Sequence, residues 1–218
     1  MKLPGHKKRQ HVAADISTVP GRARAERELV LGDHGFLRES IQNLRQISDE
    51  MWRSNQPTPR QIAEHARLRG IRTILNLRGD STKGYYLLEK EACEAAGIEL
   101  IDFRVYSRDT PTVERVFEAK KLFDEIAYPA LMHCKSGADR AGLMSTLYMI
   151  FRMGAPVEVA AHQLSKKYLH MKEGKTGLLD AFFEAYIEAE KATGIAFEAW
   201  LKTEYDREQL KADFLKSG

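Results

Sequence analysis

The alternation of short apolar runs with longer amphipathic runs between residues 51 and 134 is the feature that most constrains the fold. The short runs have the length and composition of buried strands, whereas the longer runs repeat apolar residues at helical spacing. The predicted strands are Met51–Ser54, Ile71–Leu77, Ile98–Val105 and Pro129–Cys134. The predicted helices cover residues 58–70, 84–96 and 112–127. Strands that alternate with helices of this length form β–α–β units, so we predict an α/β fold with a small, mainly parallel sheet flanked by helices.

Two of the predicted helices begin with specific capping signals. Thr58 can cap the helix that follows it, Pro59 suits the first helical position, and Gln61 can complete a capping box. Asp206 and Gln209 repeat the capping-box spacing, which predicts the start of a last helix.

The chain of 218 residues is long enough for one sizeable domain. Residues 1–35 show no periodicity and are predicted to form a basic, disordered tail, and residues 36–218 a single domain whose C-terminal helical layer begins near residue 155. The first 30 residues carry a net charge of +4 and the remainder a net charge of −1. A basic tail can contact nucleic acid or anionic lipid, but a solvated terminus is the commoner case. We therefore expect no specific nucleic-acid partner and no more than a weak membrane contact through the tail.

Hydropathy and cysteine content indicate the cellular compartment in which the chain is expected. No run of 18 apolar residues is present, which argues against a membrane-spanning helix. The basic N-terminal residues precede no apolar core, so a secretory signal is not expected. The two cysteines, Cys93 and Cys134, form neither a disulfide framework nor a C-x-x-C pair and favour a reducing compartment. We expect a cytoplasmic protein.

The segment His133–Gly142 joins a predicted strand to a long apolar helix and carries the chemistry of the chain. Loops at the carboxyl end of a strand and the amino end of a helix present backbone N–H groups to ligands. Those N–H groups and the guanidinium of Arg140 favour the anionic thiolate of Cys134, which is a strong nucleophile. The same groups suit phosphate oxygens, which an arginine can bind in a bidentate fork. Gly137 and Gly142 allow the backbone to turn tightly.

The pattern His-Cys-x5-Arg resembles the signature loop of the cysteine-dependent protein tyrosine phosphatase superfamily, particularly the atypical, dual-specificity-like bacterial members. The segments Trp52–Pro57 and Gly70–Arg78 are similar to the same group, and the resemblance extends over approximately residues 50–170. It implies that Cys134 is the nucleophile, that Arg140 binds the transferred phosphoryl group, and that His133 organises the loop. It also implies that the loop residues bind phosphate and that neither metal nor cofactor is needed. The remaining loop residues are Lys135, Ser136, Gly137, Ala138 and Asp139.

Two positions depart from the commonest family pattern. Most members place Ser or Thr after the arginine, where its hydroxyl helps the cysteine to leave; here the residue is Ala141, which predicts slower hydrolysis of the intermediate. The acidic Asp139 is unusual inside an anion-binding loop. The Gly-x-Asp-Arg pattern resembles the loops of myotubularin-type and some bacterial lipid-acting phosphatases, which raises phosphoinositides as substrates. The alternative is that Asp139 points away from the site and caps the helix.

Phosphoryl transfer from an alcohol or phenol needs a proton donor for the leaving oxygen. In the family this donor is an aspartate on a mobile loop before the cysteine, and Asp102 and Asp109 lie at a suitable distance along the chain. Asp102 falls within a predicted strand, whereas Asp109 lies in a loop, so Asp109 is the candidate general acid and Asp139 the reserve. Asp109 as a simple helix cap is the alternative.

Other residues have weaker claims to the site. Arg78, Arg104 and Arg108 follow or end predicted strands and could line the cleft, although single arginines are more often solvated charges. Lys135 can add positive potential for polyanionic substrates. Cys93 is expected to be a small core residue and His170 a structural histidine. The scattered histidines contain no metal-binding spacing, so no metal site is predicted.

These features predict a phosphate monoester hydrolase that acts through a phosphocysteine intermediate. The expected substrates are phosphotyrosine-containing proteins, with dual specificity, and the alternative is a phosphoinositide or inositol phosphate. A phosphate-binding module with little turnover is an alternative of another class, since Ala141 and a misplaced acid would both slow catalysis. A sulfur-transfer or arsenate-reducing enzyme would use the same thiolate, but those enzymes do not usually carry this ten-residue loop.

Overall fold

The computed structural model describes residues 15–32 and 41–217. Its centre is a five-stranded sheet with the order β1-β2-β5-β3-β4. β1 pairs with β2 in the antiparallel sense, and all other neighbours are parallel. The strands are β1 (Arg45–Ser48), β2 (Met51–Ser54), β3 (Thr73–Asn76), β4 (Glu99–Asp102) and β5 (Ala130–His133). The predicted α/β class and mainly parallel sheet are confirmed, whereas the edge strand β1 was not predicted.

Nine α-helices surround this sheet in the part of the chain that the structure describes. They are α1 (Val19–Arg27), α2 (Pro59–Arg69), α3 (Gly84–Ala96), α4 (Val113–Glu125), α5 (Asp139–Met153), α6 (Val157–Ala160), α7 (Leu178–Thr193), α8 (Phe197–Thr203) and α9 (Arg207–Ser217). Three short 3₁₀ segments lie between residues 161 and 177. The predicted C-terminal helical layer corresponds to α6–α9 and these short segments.

The predicted capping signals are present in the structure. At α2 the Thr58 hydroxyl accepts from the Gln61 N–H at 3.3 Å, and the Gln61 side chain accepts from the Thr58 N–H at 2.9 Å. At α9 Asp206 accepts from the N–H of Gln209 at 2.9 Å, although the Gln209 side chain bonds Asp213 instead of completing the box. These contacts satisfy N–H groups that the first helical turn leaves unpaired.

Two predicted strands are shorter than the apolar runs that predicted them. The ladder between β3 and β4 extends only from Thr73 opposite Glu99 to Asn76 opposite Asp102. Ile71, Leu77 and Ile98 lie outside this ladder but are almost completely buried. Apolar burial therefore continues past the ends of the strands, which is why hydrophobicity alone overestimated their length.

The prediction of a disordered tail is wrong for residues 15–32. There α1 and a π-helical turn at Glu28–Gly32 lie against α3, with Ala25 fully buried and a Glu28 carboxylate oxygen accepting from the Gly84 N–H at 3.0 Å. A Cβ at position 84 would lie 2.5 Å from the Ala25 Cα, so the packing depends on glycine. Residues 1–14 and 33–35 lie outside the described residues, and the domain boundary at 36 stays a prediction.

The two faces of the sheet carry separate apolar cores. One face packs against α2 and α3 through a small cluster that contains the buried Cys93. The other packs against α4, α5 and the C-terminal helices through a large cluster that contains Cys134. An aromatic group joins α7 and α8 in this layer: Phe182, Phe183, Tyr186, Phe197, Trp200 and Tyr205. Within the described ranges, no helix has the length and apolarity needed to cross a membrane.

Candidate active site

The loop that follows β5 forms the floor of the candidate site. β5 ends at His133, and α5 begins at Asp139, so Cys134 is the first residue of the connecting turn. Cys134 is 2% exposed, and Arg140 is partly buried on the first turn of α5. Because β5 is the central strand of the sheet, the loop opens between neighbouring elements, where a parallel sheet places its ligands.

Two glycines allow this loop to pass close to its neighbours. Gly137 has a φ of +73°, and a Cβ at this position would lie 2.7 Å from the Asn55 backbone nitrogen. A Cβ at Gly142 would lie 2.6 Å from a Leu164 methyl carbon. The expectation that these glycines permit a tight, close-packed turn is confirmed.

Arg53 holds the loop from behind. This arginine of β2 is completely buried and donates through Nη2 to the carbonyl oxygens of Gly137 and Ala138, at 2.8 and 2.9 Å. Through Nη1 it donates to the Gln163 carbonyl and side-chain oxygens, both at 2.8 Å. A loop whose carbonyls face outward toward Arg53 has N–H groups free to face inward, which is the arrangement an anion requires.

Arg53 is charged although it is buried. Burial lowers its pKa to about 10, and interactions with Cys134, Tyr168 and Asp139 act in the opposite direction. The guanidinium also lies 4.4 Å from the Tyr168 ring centroid, over its face. Arg53 is therefore a cation at neutral pH. Sequence reasoning used it only as part of the Trp52–Pro57 resemblance and missed its role in supporting the loop.

A buried polar chain supports the start of the loop. His133 Nε2 lies 2.6 Å from a Glu89 carboxylate oxygen, and both residues are at most 1% exposed. Gln56 donates to the other Glu89 oxygen at 2.5 Å and accepts from Arg78 at 2.7 Å. The Gln56 N–H also approaches the Lys135 carbonyl at 3.4 Å. This chain ties β5 to α3 and to the segment after β2, consistent with His133 as an organiser of the loop.

Asn43 holds the outer rim of the loop. Its side-chain amide donates to the Ser136 carbonyl at 3.1 Å and to the Tyr168 carbonyl at 3.0 Å. Asn43 is itself in the left-handed region, with a φ of 44°, which asparagine tolerates better than most residues. Ser136 is exposed at this rim. Nothing in the local pattern around Asn43 pointed to the site.

Asp139 is directed toward the C-terminal layer. Its carboxylate oxygen lies 2.8 Å from His170 Nδ1, and the other ring nitrogen of His170 lies 2.8 Å from Asp180. Asp139 forms no side-chain cap at the start of α5. The alternative in which Asp139 turns away is therefore correct in direction, but its partner is His170 rather than the helix terminus. His170 is 1% exposed, and its contact with Asp139 was not foreseen from the sequence, which indicated only a structural histidine.

The charge of His170 predicts a pH-dependent stability. Burial lowers its pKa, but Asp139 and Asp180 outweigh that effect and raise it to about 9, from 6.5. Stability from this proton is fully present below pH 6.5 and is lost as the pH rises through about 9, an effect of roughly 3 kcal/mol. Denaturant unfolding of wild type and His170→Gln from pH 6 to 10 should show a difference that shrinks by that amount. If the stability difference between wild type and His170→Gln were the same at every pH, the raised pKa of His170 would be contradicted. The control is His162→Gln, because His162 is exposed.

Asp109 lies in the loop between β4 and α4, where a mobile acid was predicted. Its carboxylate is held by Arg207 and by Lys211 Nζ, at 3.3 Å for Lys211, both on α9. It lines a cavity of about 380 Å³ together with Arg104, Arg115 and Leu143, and Leu143 lies one turn after Arg140. Asp109 thus lies at the carboxyl end of the sheet, but its carboxylate is ion-paired with two residues of the last helix, α9.

The arginines predicted near the cleft have different surroundings. Arg78 belongs to the Gln56 chain and lies over the Tyr85 ring at 3.8 Å. Arg104 lines the Asp109 cavity, and Arg108 lines an adjoining, more open hollow to which Asp109 also contributes. Cys93 is 1% exposed, as expected, and burial raises its pKa to about 12. No group of three potential ligands suited to a metal occurs among the residues that the structure describes.

The sequence matches a family model described as "DSP-PTPase phosphatase fused to NAD+ Kinase" over residues 37–190, which is more than half of the chain. The chain belongs to this family. The phosphatase is therefore an enzyme of the cysteine-dependent protein tyrosine and dual-specificity type, and the resemblance drawn from its loop is confirmed. No curated protein matches it in a sequence search.

Solved structures show the same fold as the phosphatase. Tk-PTP in its active form is 20% identical, with a TM-score of 0.53, over 66% of this chain and 97% of that one. TpbA of P. aeruginosa is 17% identical, with a TM-score of 0.52, over 81% and 92%. PTPMT1 is 16% identical, with a TM-score of 0.51, over 68% and 98%. Because the sequence identities are 20% or lower, these structures show a shared fold and nothing more about this chain.

Proposed function

We propose that the phosphatase hydrolyses phosphotyrosine-containing proteins, with dual specificity, through a phosphocysteine intermediate at Cys134. The observation that carries this proposal is the loop between β5 and α5. It places the Cys134 thiol at the base of a turn whose carbonyls face Arg53 and whose far end carries Arg140. TpbA, which shares the fold, has been solved in complex with pTyr.

The proposed reaction has two steps. The Cys134 thiolate attacks phosphorus, the bond to the leaving oxygen breaks, and Asp109 donates a proton to that oxygen. The loop N–H groups and Arg140 stabilise the phosphoryl oxygens as charge shifts between them. Water then attacks the phosphocysteine and gives a proton to the Asp109 carboxylate, the phosphorus–sulfur bond breaks, and inorganic phosphate leaves with the Cys134 thiolate and the Asp109 acid restored. Apart from substrate and water, every group in the scheme belongs to the chain, so the proposed scheme needs no metal or cofactor.

Phosphoinositides are the second candidate substrate. The Gly137–Arg140 part of the loop is similar to lipid-acting phosphatases, and PTPMT1, which shares the fold, has been solved with PI(5)P. Lys135, partly buried within the loop, would add positive potential for such a polyanion. Any contact of the N-terminal tail with anionic membranes, and a cytoplasmic location, stay predictions.

A two-stage assay tests the proposed function. The first stage measures hydrolysis of p-nitrophenyl phosphate with EDTA present, and we expect activity to persist. The second compares kcat/KM for phosphotyrosine, phosphoserine and phosphothreonine peptides with that for phosphoinositides in mixed micelles. Higher values for the phosphotyrosine peptides support the proposal, and higher values for phosphoinositides favour the second candidate. Phosphate binding with no hydrolysis from pH 5 to 8 would instead indicate a binding module.

Replacing Asp109 by asparagine should lower kcat by about 10²-fold or more, because a positioned general acid contributes roughly 10²–10⁴-fold. The loss should be larger for a phosphotyrosine peptide than for p-nitrophenyl phosphate, whose leaving group needs less protonation. Lys211→Gln breaks one of the ion pairs of Asp109 but keeps its carboxylate, so it separates catalysis from structure. Little change in Asp109→Asn, together with a large loss in Asp139→Asn, would move the role to Asp139.

Replacing Ala141 by serine should speed the second step of the reaction, since a hydroxyl there can assist the departing thiolate. Ala141 is fully buried at the start of α5, next to the Ser145 hydroxyl, which donates to the Ala141 carbonyl at 2.6 Å. Stopped-flow assays at high enzyme concentration should show a smaller burst and a faster steady state in the variant. An unchanged second step would contradict this explanation of Ala141.

A further inference from the structure

The Asp139 carboxylate presents an electrostatic problem for the site. It lies between Ala138, whose carbonyl is bound by Arg53, and Arg140, the cation of the loop. A dianionic phosphate in this loop would be repelled by a carboxylate facing it. The structure shows where that charge is directed, since the Asp139 oxygen lies 2.8 Å from His170 Nδ1.

His170 is positioned to be a cation on geometric grounds alone. Each of its two ring nitrogens lies 2.8 Å from a carboxylate oxygen, one on Asp139 and the other on Asp180 of α7. A neutral imidazole has a single N–H and would oppose one carboxylate with a lone pair, whereas the imidazolium donates to both. The ring is 1% exposed, so water cannot replace either partner.

The other charges around His170 and Asp139 are consistent with a protonated His170. Arg53 interacts with the Asp139 charge, but its guanidinium is bound to the Gly137 and Ala138 carbonyls. Glu173, in the exposed turn before α7, interacts with His170 and with Lys166 Nζ, which is 3.7 Å from it. Lys172 lies near Asp180 and is bonded to Glu184 of α7. The negative charge that remains after Asp139 and His170 offset each other therefore belongs to Asp180, on the far side of the ring from the loop.

We propose that His170 is a positioning residue whose imidazolium, held by Asp180, turns the Asp139 carboxylate away from the phosphate site and offsets its charge. This inference rests on the proposed function, since it concerns how the same loop binds a phosphate dianion. It gives the C-terminal layer a part in substrate binding, because Asp180 stands on α7 and His170 on the segment before it. It also explains how an acidic residue is tolerated beside Arg140.

The test is a double-mutant cycle on phosphate affinity. Isothermal titration with inorganic phosphate at pH 7 compares wild type, His170→Gln, Asp139→Asn and the double variant. We expect His170→Gln to weaken binding by roughly tenfold, since it removes the only group in direct ion-pair contact with Asp139 among the described residues and leaves Arg53 as the remaining nearby cation. Adding Asp139→Asn should restore the affinity to within about threefold of wild type, because the charge that needed compensation is gone. Asp206→Asn, an exposed cap on α9, serves as the matched control.

Steady-state kinetics and pH supply the readouts that a merely structural role would leave unchanged. The KM for p-nitrophenyl phosphate should rise in His170→Gln by about the same factor as the phosphate Kd, with kcat within about threefold of wild type. The ratio of phosphate Kd values, variant over wild type, should fall toward one between pH 8 and 10, as wild-type His170 loses its proton. A ratio independent of pH would contradict the proposal.

The remaining outcomes are also decisive. Unchanged phosphate affinity in His170→Gln overturns the proposal, and so does a double variant that binds as weakly as the single one. If His170→Gln does not fold, Asp139→Asn alone must bind phosphate at least as tightly as wild type, and weaker binding overturns the proposal. The proposed function fails separately, if wild type itself neither binds phosphate nor hydrolyses p-nitrophenyl phosphate.

Discussion

Cys134→Ser is expected to abolish hydrolysis of p-nitrophenyl phosphate, with kcat reduced by more than roughly 10⁴-fold. The reason is chemical, because a serine hydroxyl beside the loop N–H groups is a far weaker nucleophile than a thiolate. The side chain is 2% exposed, and serine differs from cysteine by a single atom, so the fold should persist. The variant should still bind inorganic phosphate, since the loop N–H groups and Arg140 are unchanged.

Cys93→Ala provides the matched control for this experiment. Cys93 is buried against the opposite face of the sheet, in the cluster with Ile62 and Ile74, and burial raises its pKa to about 12. It is therefore an unreactive thiol, and its removal should leave kcat unchanged at a modest cost in stability. Retention of more than a few per cent of activity in Cys134→Ser would contradict the assignment of the nucleophile.

Arg53→Lys is expected to lower kcat/KM by roughly 10²-fold, although Arg53 touches no substrate in the proposed reaction. Its planar guanidinium donates to the Gly137 and Ala138 carbonyls and, through another nitrogen, to Gln163. A lysine ammonium cannot satisfy all of these acceptors at once, so some loop carbonyls lose their partner and are free to rotate. We expect the free energy of unfolding to fall by about 2–4 kcal/mol, measured by urea titration.

Arg45→Lys is the control for this substitution, because Arg45 pairs with Arg53 across β1 and β2 but is exposed. It should change neither stability nor activity measurably. Phosphate affinity of Arg53→Lys separates two explanations, since a distorted loop weakens phosphate binding whereas a merely destabilised protein does not. A folded Arg53→Lys with wild-type kcat/KM would contradict the role given to Arg53.

The parts of the molecule that the sequence predicted are those with local causes. The capping box at Thr58 and Gln61 involves residues three positions apart, and the loop from Cys134 to Arg140 is contiguous. Its chemistry follows from a strand end and a helix start, which periodicity locates to within a residue or two. The position of this loop, between a strand end and a helix start, could for this reason be predicted without a structure, and Cys134 as its nucleophile stays a prediction.

The parts that could not be predicted depend on contacts between distant residues. Arg53 lies 84 positions from Gly137, and Asn43 lies 93 positions from Ser136. His170 is 31 positions from Asp139, and its role follows only from the way the C-terminal layer packs on α5. No periodicity in the sequence marks such pairings, so these residues read as ordinary charged or polar positions.

The N-terminal helix α1 also could not be predicted, because its order depends on a contact with a distant helix. Residues 15–32 contain Pro20, Gly21 and Gly32 and show no stable apolar periodicity, so their sequence suggests a tail. Their order comes from a small contact in which Ala25 and Leu29 meet Leu88 of α3, with the Glu28 carboxylate on the Gly84 N–H. Propensity is a weak prior, and tertiary packing has overridden it here.

The most direct test of a phosphocysteine mechanism is to trap the intermediate. Wild-type protein and Asp109→Asn are mixed with excess p-nitrophenyl phosphate, quenched in acid within milliseconds, digested and analysed by tandem mass spectrometry. We predict a phosphoryl group on the cysteine of the peptide that contains Cys134, and none in Cys134→Ser treated in the same way. Turnover without any phosphorylated Cys134 peptide, or phosphate on another residue, would contradict the account.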